Sequence, residues 1–133
     1  MNELVAQALK AREAAYAPYS GYRVGAALRS GSGQVFTGCN VENVQYGATM
    51  CAERTAVFKM VSEGETEFSQ IAVATKDGGF PCGACLQVLF EFAREPQNVD
   101  VFISDDEGLT AEYKLSDLMP HAFRSSSVNR TER

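Results

Sequence analysis

The sequence predicts an α/β fold, a three-layer α-β-α sandwich built on one mixed sheet of about five strands. Three observations carry this. Two short strand-like runs flank the turn cluster Ser30-Gly31-Ser32-Gly33, which marks a hairpin. A strand, helix, strand succession from Ile71 to Ile103 demands a parallel crossover. Apolar stripes at helical spacing lie between the strands, enough to cover both faces of a sheet. The chain has 133 residues, which suits one domain with a real core. That domain is expected over residues 1–124, with 125–133, rich in Ser, Asn, Thr and Arg, as a disordered tail.

The elements follow in order. Residues 3–16 read as a helix with Leu4, Val5, Ala8 and Leu9 on one stripe, continued by Ala15 and Tyr16. Asn2 is its N-cap and Pro18 ends it. Arg23 to Leu28 and Gln34 to Cys39 form the hairpin. Gly25, Ala26 and Ala27 are small for a strand, so a helix or ligand is expected to press on them. Asn40 to Thr49 is a polar and aromatic loop, leaving a strand end where α/β sheets place their sites. Cys51 to Ser62 reads as a helix with Val57, Phe58 and Val61 inward and Gly64 as its stop. Ile71-Ala72-Val73-Ala74 reads as a strand buried on both faces. Residues 83–94 form the next helix, with Cys85, Val88, Leu89 and Phe92 on one face. Val99 to Ile103 is a strand, the turn at Asp105-Asp106-Glu107-Gly108 leads to a last strand at 111–113, and Leu115 to Met119 is a short helix.

Composition excludes several classes of function. A net charge of −5 disfavours a nucleic-acid polymer as partner, though a free nucleoside carries no phosphate and needs only a pocket. No apolar run is long enough for a membrane span. The start, Met1-Asn2-Glu3-Leu4-Val5, lacks the features of a signal peptide, so a cytoplasmic location is expected. The four cysteines then read as thiols or metal ligands.

Two segments carry the chemistry: Thr49-Met50-Cys51-Ala52-Glu53-Arg54-Thr55 and Pro81-Cys82-Gly83-Ala84-Cys85. Cys82 and Cys85 are three apart at a helix start and can face one point. Cys51 opens another helix. Helix N-termini favour thiolates, so three thiolates can hold Zn²⁺. Three such charges and one Zn²⁺ sum to −1, and Arg54 is the cation placed to balance it. Three protein ligands leave a catalytic zinc its open position, whereas four would close it. The only soft candidates for a fourth are Cys39, which reads as a buried inert cysteine, and His121, which reads as a surface or interface histidine. Glu53 then stands beside an open metal as a proton carrier. Taken alone it would be a solvated first-turn glutamate. The Cys-x-Glu joined to Pro-Cys-x-x-Cys is the zinc-deaminase signature, in which the glutamate is not a ligand.

The chain also carries Ala17-Pro18-Tyr19-Ser20, Val24-Gly25-Ala26-Ala27 and Gly38-Cys39-Asn40-Val41-Glu42-Asn43, in that order with the two segments above. From Tyr16 to Phe123 it resembles the cytidine deaminase family in its small, homotetrameric, three-cysteine form. The resemblance implies a cytidine deaminase-like fold and zinc-dependent hydrolytic deamination of cytidine and deoxycytidine to uridine and deoxyuridine, with ammonia released, as in pyrimidine salvage. It implies that water attacks C4 of the base while Glu53 moves protons to N3 and the leaving amine. It assigns base contacts to the backbone of Ala52 and Cys82, ribose contacts to Asn40 and Glu42, and a pocket-lining role to Tyr22, where the family usually has phenylalanine. Phe123 matches a phenylalanine that stacks on the base in a neighbouring subunit's site, and Tyr46 a loop aromatic near subunit contacts. Two positions depart from the pattern. Leu86 stands where arginine is common, so an arginine restored there is expected to leave activity intact, and Phe80 stands where serine is common. The competing readings are a deaminase of another aminopyrimidine nucleoside, such as a blasticidin-type antibiotic, and a non-catalytic zinc-stabilised pyrimidine-binding protein.

Overall fold

In the computed structural model, which describes residues 2–124, helix α1 runs Glu3–Arg12. Asn2 caps it as predicted, its Oδ1 accepting from the amides of Leu4 at 2.8 Å and Val5 at 3.2 Å. Leu4, Val5 and Ala8 are fully buried, and burying side chains such as Leu4 and Val5 stabilises by roughly 1.5–3 kcal/mol each. The helix ends well before the expected Tyr16 because Tyr16 pairs elsewhere. Its amide donates to Asn40 O at 3.0 Å and its carbonyl accepts from the Glu42 amide at 2.8 Å. The Arg23 guanidinium meanwhile donates to the Glu13 carbonyl and holds the chain off the helical path. The tail expected at 125–133 lies outside the described residues.

Strands β1 (Gly25–Ser30) and β2 (Val35–Cys39) form the predicted hairpin, pairing Gly25 with Cys39 and Arg29 with Val35. Helix α2 is Ala52–Ser62, β3 is Phe68–Ala74, α3 is Gly83–Glu91, β4 is Asp100–Asp105, β5 is Gly108–Lys114 and α4 is Leu115–Leu118. The sheet order is β2-β1-β3-β4-β5, with β3 and β4 parallel and every other pair antiparallel. The predicted mixed five-stranded sheet is therefore present. Alternation along the strands splits its faces. Ala26, Leu28, Ile71, Val73, Val101 and Ile103 pack with α2 and α3, while Ala27, Ala72, Ala74 and Phe102 pack with α1. Among the described residues no helix is long and apolar enough to cross a membrane.

The small residues of β1 have their explanation in a helix and not a ligand. A Cβ at Gly25 would run into the backbone of α1 at Ala8 and Arg12. Gly38 on β2 does the same for α2, where a Cβ would lie 2.6 Å from Ala56 N and 2.7 Å from Ala52 O. These two contacts set how closely each helix lies on the sheet.

Two helix faces differ from expectation. Phe58 is 44% exposed, and Met60 takes the buried place beside Val57. On α3 the buried stripe is Cys85, Leu86, Leu89 and Phe90, with Val88 and Phe92 only half-buried. The helix is rotated so that Leu86 and Phe90, one turn apart, enter the core shared with α2 and α4.

Candidate active site

Both segments singled out in the sequence begin helices, and the fold brings the two starts together. Cys51 is the N-cap residue of α2, Cys82 that of α3, and Cys85 lies in the first turn of α3. Neither cap makes a side-chain cap hydrogen bond, so both sulfurs are free to point away from their own helices. The three Sγ atoms lie within 4.8 Å of one another. Tetrahedral zinc with Zn–S of ~2.3 Å needs sulfurs about 3.8 Å apart, so the donor set and its spacing fit this metal. Cys39 and His121 are not part of the cluster, and among the described residues no fourth ligand joins it.

The electrostatics favour a thiolate at Cys51. The Cys51 thiol is pushed down to about 5, first by the hydrogen bond from Cys85 and then, against the cost of burial, by Arg54. Cys85 moves the opposite way because it gives that hydrogen bond and is buried. Arg54 Nη2 donates to Cys51 Sγ at 3.1 Å. Its guanidinium is in turn held more firmly protonated by the two sulfurs. Glu53 is 5% exposed. Burial pushes its carboxyl up to about 7, with the Cys51 charge adding to the shift and Arg54 opposing it.

A cavity of about 320 Å³ opens beside the sulfurs, a size that accepts a small organic molecule. Tyr22, Asn40, Glu42, Cys51, Ala52, Glu53 and Cys82 all line it, so seven of the residues named from the sequence share one wall system. Cys85 is wholly buried behind it. Asn40 is nearly buried and works in both directions, accepting from Val24 N and donating to Tyr22 O, each at 2.8 Å. Glu42 Oε1 accepts from the amides of Tyr19 at 2.9 Å and Ser20 at 3.1 Å, and Oε2 accepts from the Ser20 hydroxyl. That hydroxyl, ahead of the two amides, holds the Glu42 carboxyl below its usual range.

Phe123 and Tyr46 stand apart from the cavity wall, whereas Phe80 belongs to it. Phe123 is 62% exposed and not part of the core, and its carbonyl accepts from Gln87 Nε2 at 2.7 Å. Tyr46 is 74% exposed and meets Tyr19 edge to face, with ring centroids 5.9 Å apart. Phe80 lines the cavity and tilts against Tyr113 of β5 at 5.4 Å between centroids. Leu86 is 9% exposed within the main core, which amends the expectation that arginine is tolerated there. Leu86→Arg is expected to cost about 1–3 kcal/mol through overpacking, read as a lower urea midpoint with zinc content unchanged.

The sequence reading missed Thr75 and Gly79, which line the cavity, and Asp77, which bonds to both Tyr22 and Thr75. The available signal was position: Thr75 directly follows β3 at the carboxyl end of the parallel pair, where open α/β sheets bind their ligands.

Comparison with known proteins agrees with this geometry. The family described as "Cytidine and deoxycytidylate deaminase zinc-binding region" matches residues 1–100. A protein of Halalkalibacterium halodurans named cytidine deaminase is 45% identical over 128 residues, covering 95% of this chain and 96% of its own. One of the same name from Sporosarcina psychrophila is 42% identical, covering 97% and 95%. The crystal structure of cytidine deaminase from Burkholderia pseudomallei superposes with a TM-score of 0.84 at 45% identity, covering 90% of this chain and 96% of that one. With a cluster of Cys51, Cys82 and Cys85 fit for zinc and likeness running nearly end to end, the chain belongs to the zinc-dependent cytidine deaminase family.

Proposed function

We propose that the protein deaminates cytidine and deoxycytidine by hydrolysis, giving uridine and deoxyuridine with release of ammonia. One observation carries this reading: a three-sulfur metal cluster and the buried carboxyl of Glu53 meet at one nucleoside-sized cavity. Bound zinc supplies water acidic enough to act as a nucleophile near neutral pH. Beside it Glu53 would carry both protons, the first from the attacking water to N3 and the second from the hydroxyl then on C4 to the leaving amine, a task suited to a carboxyl raised to about 7 by burial. The backbone of Ala52 and Cys82 contacts the base, and Tyr22 lines its pocket. Asn40 and Glu42 hold the ribose hydroxyls, their orientations fixed by the 19–24 segment. Arg54 offsets the excess negative charge of the thiolates.

The test is a spectrophotometric deamination assay with cytidine, run with and without chelator and alongside metal analysis. Turnover that tracks zinc content is expected. A protein that binds cytidine without converting it, or that converts only another aminopyrimidine nucleoside, overturns the reading.

We also infer that residues 1–124 act as one domain, since both core clusters lie against a single sheet. The enzyme is proposed to work in the cytoplasm, in pyrimidine salvage, where a reducing environment suits its four free cysteines. It is proposed to assemble as a homotetramer, with the exposed rings of Tyr46 and Phe123 at subunit contacts and Phe123 completing a neighbour's pocket. Phe123→Ala is then expected to raise KM for cytidine several-fold and to loosen the oligomer, as followed by light scattering. A fully active monomer would remove this part of the proposal.

A further inference from the structure

Tyr22 reaches across the cavity mouth to a segment that the known chemistry leaves without a role. Its hydroxyl donates to Asp77 Oδ1 at 2.6 Å. The same oxygen accepts from the Thr75 hydroxyl at 3.2 Å, and Thr75 Oγ1 accepts from the Gly79 amide at 2.7 Å. These bonds fold residues 75–79 back on themselves, with Gly78 at a φ of 75° that favours glycine. A Cβ at Gly79 would run into the Tyr22 hydroxyl, so any side chain there would displace that hydroxyl. Lys76 Nζ lies 5.7 Å from the centre of the Tyr22 ring, adding a cation–π contact to the same junction.

The segment matters for two reasons. Thr75, Gly79 and Phe80 form part of the cavity wall. Two residues beyond Phe80 comes Cys82, a member of the sulfur cluster. Tyr22 itself enters from the loop between α1 and β1, and its own carbonyl is tied down by Asn40. The hydroxyl thus joins two walls that are otherwise separate stretches of chain.

We propose that Tyr22 is a positioning residue for the deamination, using its hydroxyl and Asp77 to fix the 75–80 wall before substrate enters. The hydroxyl is committed to Asp77 and takes no part in recognising the nucleoside. A phenylalanine at this position keeps the ring in the pocket and loses the tether. The role rests on the cytidine deaminase reading above, but the tether itself is testable without turnover.

The experiment compares Tyr22→Phe, Asp77→Ala, Asp77→Asn and the double variant Tyr22→Phe/Asp77→Ala. Tyr22→Phe is expected to raise KM for cytidine about fivefold, the worth of one hydrogen bond, and Asp77→Ala, which also loses the bond from Thr75, by at least as much, with kcat little changed in either. The double variant should be no worse than Asp77→Ala alone, because that substitution already removes the Tyr22–Asp77 bond. Asp77→Asn keeps an acceptor at Oδ1 and should restore KM. In the substrate-free protein, hydrogen exchange at the Gly79 amide should quicken in Tyr22→Phe and Asp77→Ala but not in Asp77→Asn. Unchanged KM and unchanged Gly79 exchange in Tyr22→Phe overturn the proposal, as do KM effects that add in the double variant. If the native protein fails to convert cytidine, the functional reading falls, while Gly79 exchange still decides the tether.

Discussion

Turnover of cytidine is expected to fall about 10²–10⁴-fold in Glu53→Gln, the usual worth of a positioned general acid–base group, with zinc content unchanged from the native protein. Glutamine matches glutamate in shape and fills the same 5%-exposed site in the first turn of α2, so packing is preserved. It cannot take a proton from water or return one to nitrogen. The ground state should bind nearly as before, because the groups assigned to the sugar, Asn40 and Glu42, are held by contacts that do not involve Glu53. The loss therefore belongs in kcat more than in KM. Metal analysis of the variant keeps the reading clean, since full zinc with turnover near native would remove Glu53 from the mechanism. The same result would favour a pyrimidine-binding protein in which this carboxyl is merely buried.

Cys85→Ser should be as damaging to activity and worse for stability. Of the three sulfurs, Cys85 alone is fully buried, so solvent cannot replace it. Zinc content is expected to drop from one per chain to a small fraction, and turnover with it. A metal present at 1,000 times its Kd contributes about 4 kcal/mol, so a melting temperature lower by about 10 °C is expected in calorimetry. Cys51 and Cys82 occupy N-cap positions without making cap hydrogen bonds, so a metal held by both would add a direct tie between those two helix starts. A variant that retains full zinc and full turnover would mean that two sulfurs suffice.

The sequence was most readable where one residue type has one use. Three cysteines and a glutamate at fixed spacing announced a metal centre, and the structure brings the three sulfurs together, with Cys51, Cys82 and Glu53 on one cavity wall. Strand existence was equally legible, because the hairpin turn and the apolar runs of β3 and β4 are local signals. Helix facing was less so. Phe58 and Leu86 are both apolar, and only tertiary packing decides that the first is exposed and the second is core. The early end of α1 was hidden for a related reason: its cause is a pairing between Tyr16 and Asn40, twenty-four residues distant in sequence. Of the Tyr22–Asp77 junction only one side was legible: Tyr22 stood out as a pocket-lining residue, whereas nothing in the sequence marked Asp77 as its partner, and the two meet only once the sheet has formed.

Gly38 has a consequence for how variants of this enzyme will be interpreted. It sits immediately before Cys39, and its missing side chain leaves room for the backbone of α2, the helix that presents both Cys51 and Glu53. Any larger residue must push that helix outward and carry the sulfur and the carboxyl with it. In a saturation survey scored by growth on cytidine, this glycine would therefore look as indispensable as a metal ligand. Its depletion would report a spacing tolerance of a few tenths of an ångström between helix and strand, and no chemistry of its own.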